Sequence, residues 1–282
     1  MKDKLLIIRP LNLLIIALTM GIVLFKFQTE DVPLYWWRCV LLILPAVLTA
    51  AAGYVINDIF DVVTDNVNKP ERTTVGRTIT RREAWLLYVA LVVLSLIVAY
   101  FFNLRYVVIN SSITILLGLY AYKFKGLPLI GNLLVASCSA AVIACCLMLA
   151  SFDLKGGVVN FIGYIIFAFF TSLIREIVKD LQDMEGDKAA GYNTYPLLAG
   201  EKGAKILVFS LLTIQILLCG LYTVVIWGIG LKISAIIMGL VTLGLLYFIN
   251  HLSRAKTKDD YKFSSQLMKY IMVAGVINLL FN

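Results

Sequence analysis

Apolar residues run along this chain in blocks of about 20, and charge is confined to the gaps between them. Nine blocks fall at about 11–27, 38–57, 84–102, 105–122, 129–150, 157–178, 204–227, 231–250 and 265–281. About 20 residues of α-helix cover the hydrocarbon core of a bilayer. The pattern therefore predicts an all-α integral membrane protein with nine transmembrane helices in a bundle. Lys269 and Asn278 interrupt the ninth block. The links on one side are short. On the other side, two links are longer and charged, at about 66–83 and 188–203.

Composition agrees with the pattern. The chain is 61% hydrophobic, far above a soluble domain. Charge then orients it. Of the 25 Lys and Arg residues, only Lys26, Arg38, Arg105, Lys155 and Lys232 fall on the short-link side. This positive-inside bias places the amino terminus and both long links in the cytoplasm of a bacterial or archaeal cell membrane. With nine helices, the carboxyl terminus lies outside. Spread this way, the net charge of +8 indicates a membrane lipid surface and no nucleic-acid partner. No cleaved signal peptide is expected, because no small-residue cleavage pattern follows the first block. Cys39, Cys138, Cys145, Cys146 and Cys219 all lie in apolar blocks without C-x-x-C spacing, and read as small buried hydrophobes. The single histidine, His251, reads as a helix-end polar residue.

Against this background one acidic pattern stands out, because it occurs twice. Asp58, Asp61 and Asp65 follow D-x-x-D-x-x-x-D, and so do Asp180, Asp183 and Asp187. The copies close the second and sixth apolar blocks, 122 residues apart between Asp58 and Asp180. That distance is one four-helix unit. The chain thus divides into half-repeats of about 1–126 and 127–250 plus a ninth helix at about 265–281, all one transmembrane domain. An even helix number per half brings both motifs to the cytoplasmic face. A central cavity open to that side follows.

Positions i, i+3 and i+7 share one helix face. Each triplet therefore forms a carboxylate stripe whose members repel one another and resist desolvation. Mg²⁺ takes oxygen ligands, usually one or two carboxylates completed by water and substrate phosphate. Two such stripes suit a diphosphate. Ordinary water-facing carboxylates paired with Lys69, Arg72 or Lys179 are the bland alternative, and the second identical copy counts against it. Gly186 and Gly191 are expected to loosen the second stripe, leaving Asp187 on a loop. Asn57 adds a neutral donor and acceptor to the first.

Basic neighbours supply phosphate contacts. Arg72, Arg77, Arg175 and Lys179 suit oxygens that the metal leaves open. Lys123 and Lys125, beside Tyr120 and Tyr122, divide between that role and interface anchoring. Asn12 lies one turn into the first block, after Arg9 and Pro10, and Asn132 opens the fifth; both suit either an interhelical hydrogen bond or a polar cavity mouth. Tyr54 shares a face with Asp58, where its ring suits a cationic intermediate or plain packing.

These residues resemble the UbiA superfamily of intramembrane prenyltransferases over essentially the whole chain. Its N-D-x-x-D-x-x-x-D hallmark is similar to Asn57, Asp58, Asp61 and Asp65, and its second aspartate motif to Asp180, Asp183 and Asp187. Flanking stretches look most like the digeranylgeranylglyceryl phosphate synthase branch. They are Arg9-Pro10-Leu11-Asn12, Asn68-Lys69-Pro70-Glu71-Arg72, Tyr120 to Lys125, Leu127 to Asn132, and Arg175 to Asp180. One departure is clear. The loop Arg72-Thr73-Thr74-Val75-Gly76-Arg77 lacks two prolines usual in that family, which removes a source of loop rigidity.

The resemblance implies Mg²⁺-dependent transfer of a prenyl group, in that branch geranylgeranyl, from an allylic diphosphate to a lipid acceptor, geranylgeranylglyceryl phosphate. The six aspartates would then be metal ligands, and Arg9, Lys123 or Lys125 candidates for the acceptor phosphate. Other branches prenylate hydroxybenzoate- or naphthoate-type aromatic acceptors. The rival class is an ion-coupled transporter, which shares duplicated halves and membrane carboxylates. Carrier carboxylates usually sit near the midplane, whereas both motifs here sit at one boundary. A scaffold that has lost activity is disfavoured by the presence of every motif aspartate.

Overall fold

The computed structural model describes residues 6–27, 35–149 and 158–281. The helices are α1 (Pro10–Phe27), α2 (Trp36–Phe60), α3 (Val62–Asn68), α4 (Arg81–Phe102), α5 (Leu104–Tyr122), α6 (Ile130–Leu149), α7 (Val158–Ala189), α8 (Tyr195–Gly228), α9 (Lys232–Arg254) and α10 (Lys258–Asn278). Among the described residues, seven helices are long and apolar enough to cross a membrane, while α1 and α6 are apolar but shorter. Lys155, assigned by its charge to the short-link side, and Lys2 and Lys4 lie outside the described residues.

Hydropathy marks where helices enter lipid, and several of them continue past that point. The sixth block ends near 178, but α7 runs on to Ala189. Asp187 is therefore on a helix and not on a loop, which corrects the expectation from Gly186. The stop comes two residues later, where Gly191 adopts φ 73°, a left-handed conformation open to glycine without strain. α8 begins nine residues before its apolar block, starts with Pro196 in its first turn, and kinks at Gly200. α4 and α10 open on capping boxes, Thr80 with Glu83 and Thr257 with Asp260, which satisfy the first orphan amides.

The chain divides into two compact units. The first comprises Met1–Leu127, Ala144–Phe152 and Glu185–Tyr192; the second comprises Pro128–Ile143, Asp153–Met184 and Asn193–Asn282. In the first unit α2 packs on α1, α4 and α5. Its core gathers Ile7, Val55, Ile56, Ile59, Val75, Ile79, Ala84 and Ala121. In the second unit α9 packs on α8 and α10. Its core includes Ile174, Ile177, Leu212, Leu245, Phe248 and Met268. All five cysteines are free thiols. His251 accepts or donates one hydrogen bond with Ser264 at 3.0 Å and packs on Phe263.

A buried polar knot ties α2, α4 and α5 together. Thr49 donates to Asn110 Oδ1 at 2.8 Å, Asn110 donates to Ser95 at 2.5 Å, and Ser95 donates to the Pro45 carbonyl at 2.9 Å. Polar contacts of this kind hold apolar helices in register, each contributing about 1–2 kcal/mol at most. Asn110→Leu is expected to lower stability by about 1–3 kcal/mol, since it removes the acceptor of the Thr49 hydroxyl and the donor to Ser95 from a buried cluster. Thermal unfolding in detergent measures it; an unchanged midpoint contradicts the role.

The loop after α3 is ordered without the missing prolines. Arg77 donates to the Pro70 carbonyl at 3.0 Å, and Thr78 returns to the Thr74 carbonyl through its amide at 3.0 Å and its hydroxyl at 2.9 Å. Gly76, at φ 90°, turns the chain between them. Hydrogen bonds and the Gly76 turn thus shape this loop without those prolines.

Candidate active site

The first motif lies where α2 becomes α3. The expected single helix is interrupted at Asp61, whose φ of −85° and ψ of 4° join two helical segments. Asp61 is both C-cap and N-cap, and it is 3% exposed. Its Oδ2 accepts from Asn57 Nδ2, one turn earlier, and from Lys125 Nζ. Its Oδ1 is buried without a hydrogen-bond partner. A buried carboxylate oxygen without a donor is costly and accounts for itself only if a cation reaches it.

Asp58 is held by a second cation. Arg9 Nη2 donates to Asp58 Oδ1 at 2.7 Å, and the Arg9 guanidinium lies 4.9 Å from the centre of the Tyr54 ring. Tyr54 and Asp58, four apart on α2, thus form one clamp on Arg9. Asp65, one turn into α3, has its carboxyl pushed up by burial and then by the like charges of Asp61 and Asp58. Burial alone would depress the Lys125 ammonium, but Asp61 overrides it and the pKa rises.

Asp187 belongs to the same unit and is 2% exposed. Close helix approach puts it there. The Gly186 amide donates to Asn68 Oδ1 at 3.2 Å, and Asn68 is the last residue of α3. Tyr192 closes the cluster: burial first, then Asp61, raises its phenol, and its ring lies against Gly126. The first unit thus collects four of the six predicted aspartates.

The other two lie in the second unit. Asn132 Nδ2 donates to Asp180 Oδ2 at 2.7 Å. Asp183 follows one turn later on α7, half-buried. Arg175 and Lys179 both contact Glu176, at 2.6 and 3.1 Å, and Glu176 is 6% exposed.

Other predicted residues are placed as follows. Lys125 reaches Asp61, whereas Lys123 is exposed and makes no side-chain contact of that kind among the described residues. Lys125 lies on a short 3-10 turn after α5, which swings it inward. Tyr120 packs against the first-unit core. Asn12 is the third residue of α1. Arg77 is exposed and tied to Pro70. The side chain of Arg72 lies outside the described residues. Sequence reasoning missed Glu176, Asn68 and Tyr192 as site neighbours. Asn68 was legible, three residues after Asp65 on the same stripe. Nothing local marks Tyr192, which comes in through chain folding.

Among the described residues, no three His, Cys, Asp or Glu side chains converge closely enough to hold a metal ion alone. Mg²⁺ does not require that. It binds through one or two carboxylates and completes its shell with water and phosphate oxygens. Asp61 with its orphaned Oδ1, beside an Asp65 strained by its neighbours, fits such partial coordination.

Comparison with known proteins agrees with this chemistry. Residues 13–273 match the UbiA prenyltransferase family. A digeranylgeranylglyceryl phosphate synthase of Methanobrevibacter smithii is 32% identical over 281 residues, covering 96% of this chain and 93% of that protein. One from Methanosarcina mazei is also 32% identical, covering 84% of this chain and 79% of the relative. A solved structure bearing on digeranylgeranylglyceryl phosphate synthase in membranes has a TM-score of 0.70 at 25% identity, covering 99% of this chain and 98% of its own. A UbiA homologue from Archaeoglobus fulgidus, bound to GPP and Mg²⁺, has a TM-score of 0.69 at 19% identity, covering 98% and 99%. That last likeness concerns the fold.

Proposed function

The chain belongs to the UbiA prenyltransferase family, and from that premise we propose that it joins a geranylgeranyl group to geranylgeranylglyceryl phosphate with release of diphosphate. It is an enzyme of the prenyltransferase class, and the carrier alternative falls with that membership. The observation that carries the site reading is the first-unit cluster. Buried Asp61 has one oxygen without a hydrogen-bond partner, and Asp58, Asp65 and Asp187 accompany it. The acceptor reading rests on the relatives, which carry the synthase name over most of their length.

In the proposed reaction the bond between C1 of the prenyl chain and its diphosphate oxygen breaks, and the electron pair leaves on the diphosphate. The acceptor's glycerol oxygen forms an ether bond to C1 and loses its proton. Mg²⁺ held by the two aspartate motifs would withdraw charge from the departing diphosphate. Asn57 orients Asp61 by hydrogen bonding one of its oxygens, which aims the other. Asn132 does the same for Asp180. Arg9 and Lys125 bring full positive charges beside the carboxylates, where they can meet phosphate oxygens. The Tyr54 ring, already facing a guanidinium, offers the same face to positive charge developing at C1. Arg175 and Lys179 act through Glu176 as a basic flank to the second motif.

The proposal includes nine membrane spans, counting the shorter α1 and α6, in two four-helix half-repeats with both motifs facing the cytoplasm. Product analysis tests the chemistry. Purified protein given geranylgeranyl diphosphate and geranylgeranylglyceryl phosphate is expected to yield a diether phosphate by mass spectrometry. If a hydroxybenzoate or naphthoate acid is prenylated and the glyceryl ether is not, the acceptor assignment is wrong.

A further inference from the structure

The stop signal of α7 ties the last aspartate of the second motif to the lysine on the first. Two backbone hydrogen bonds end that helix. The Tyr192 amide donates to the Asp187 carbonyl at 2.9 Å, and the Gly191 amide donates to the Lys188 carbonyl at 3.1 Å. With Gly191 left-handed at φ 73°, this is the Schellman arrangement, in which the residue after the glycine folds back on the last turn. Tyr192 is therefore placed by backbone hydrogen bonds, and Asp187 is its anchor.

The Tyr192 side chain leads to Lys125. A Cβ on Gly126 would lie 2.9 Å from Tyr192 Cδ1 and 3.3 Å from Cγ, so the ring packs directly on glycine backbone. Both atoms belong to the root of the ring, which has little freedom to swing aside. The phenol stands in the field of Asp61, Lys125 and Asp187, with the Thr64 hydroxyl beside it. All these residues lie in the first unit.

Gly126 directly follows Lys125, and both belong to the 3-10 turn Phe124–Gly126. The Leu127 amide closes that turn on the Phe124 carbonyl at 3.1 Å. Such turns hold their hydrogen bonds in poorer geometry than an α-helix does. A lysine also has much rotamer freedom to lose when its ammonium is fixed, as it is on Asp61. The Tyr192 ring, pressed on Gly126, gives the turn a rigid backing.

We propose that Tyr192 is a positioning residue: anchored through its amide at Asp187, its ring holds the Phe124–Gly126 turn so that the Lys125 ammonium stays at the first motif and meets the diphosphate there. This rests on the reading of Lys125 as a phosphate contact. It joins the end of the second motif to the lysine of the first through one side chain. The support comes from the ring and does not need the phenol.

Calorimetric titration of the full-length protein in detergent with geranyl S-thiolodiphosphate, an unreactive analogue, in the presence of Mg²⁺ tests it without turnover. A thermal melt accompanies each variant. Lys125→Met and Tyr192→Ala are each expected to weaken binding about tenfold or more, the scale of one hydrogen bond to a charged group. The double variant should match Lys125→Met to within about twofold, because residues that act through one another do not add. Tyr192→Phe keeps the ring and should bind as the wild type does. Gly126→Ala, which forces ring and turn apart, should weaken binding in the wild type and add nothing to Tyr192→Ala. Where Tyr192→Ala does not fold, Gly126→Ala combined with Lys125→Met makes the same comparison from the other side of the contact. A double variant that shows the product of the two single losses overturns the positioning and leaves Lys125 a phosphate contact. Tyr192→Phe as weak as Tyr192→Ala overturns it too, by moving the effect to the phenol. If Lys125→Met binds as tightly as the wild type, the phosphate reading of Lys125 fails and the positioning falls with it. A wild type that does not bind the analogue sinks the diphosphate site itself.

Discussion

Asp61→Asn is expected to lower kcat by about 10²–10³-fold, the scale on which one preorganised charge at a departing group acts, while the protein remains folded. Asparagine fills the same volume, so packing at the α2–α3 joint is preserved. What it loses is the negative charge on an atom that already lacks a hydrogen-bond partner. It also leaves Lys125 facing a neutral amide, which adds a local electrostatic change to the lost metal ligand. Asp183→Asn should cost a similar factor from the second motif. Chelation of divalent cations should reproduce the loss in the wild type, and Mg²⁺ should restore it. A single-turnover assay alongside a thermal melt separates chemistry from folding. Near-wild-type turnover in either variant, or turnover that survives chelation, removes the metal-assisted departure of diphosphate.

Much of this site was visible in the chain before any coordinates. The spacing of Asp58, Asp61 and Asp65, repeated at Asp180, Asp183 and Asp187, is a local pattern, and local patterns survive into structure. The apolar blocks likewise locate the helices, because burial in lipid is imposed on every residue of a span. Helix ends were less legible for a physical reason. Hydropathy reports the membrane boundary, whereas hydrogen bonding and capping set where a helix stops. Hence α7 runs eleven residues beyond its apolar block and carries Asp187 with it, and α10 begins at Lys258 on a capping box. The counter-ions were legible only as candidates. That Lys125 and not Lys123 reaches Asp61 depends on the 3-10 turn at Phe124–Gly126, and no periodicity announces that turn. Arg9 was named as a phosphate ligand, but its grip on Asp58 and Tyr54 is a tertiary fact.

Gly186 shows how a residue can be misread from propensity and explained by packing. Glycine weakens a helix interior, so its place beside Asp187 pointed to a loop. Its actual reason is space. A Cβ at Gly186 would lie 2.2 Å from Asn68 Nδ2 and 2.7 Å from the Thr64 carbonyl oxygen. Asn68 can rotate away, but the Thr64 oxygen is backbone and cannot. Gly186→Ala must therefore push the end of α7 away from α3. That movement breaks the Gly186 amide to Asn68 contact and carries Asp187 with it. The expected result is a stability loss of about 1–3 kcal/mol from overpacking and, because a displacement of about 1 Å at a reacting centre can cost about 100-fold, a kcat at least ~100-fold lower. Gly220→Ala serves as the control, since nothing lies within 4 Å of a Cβ there, and it should leave both quantities near the wild type. Should Gly186→Ala keep full activity while Asp187→Asn loses it, the close approach of α7 to α3 would not be what positions Asp187.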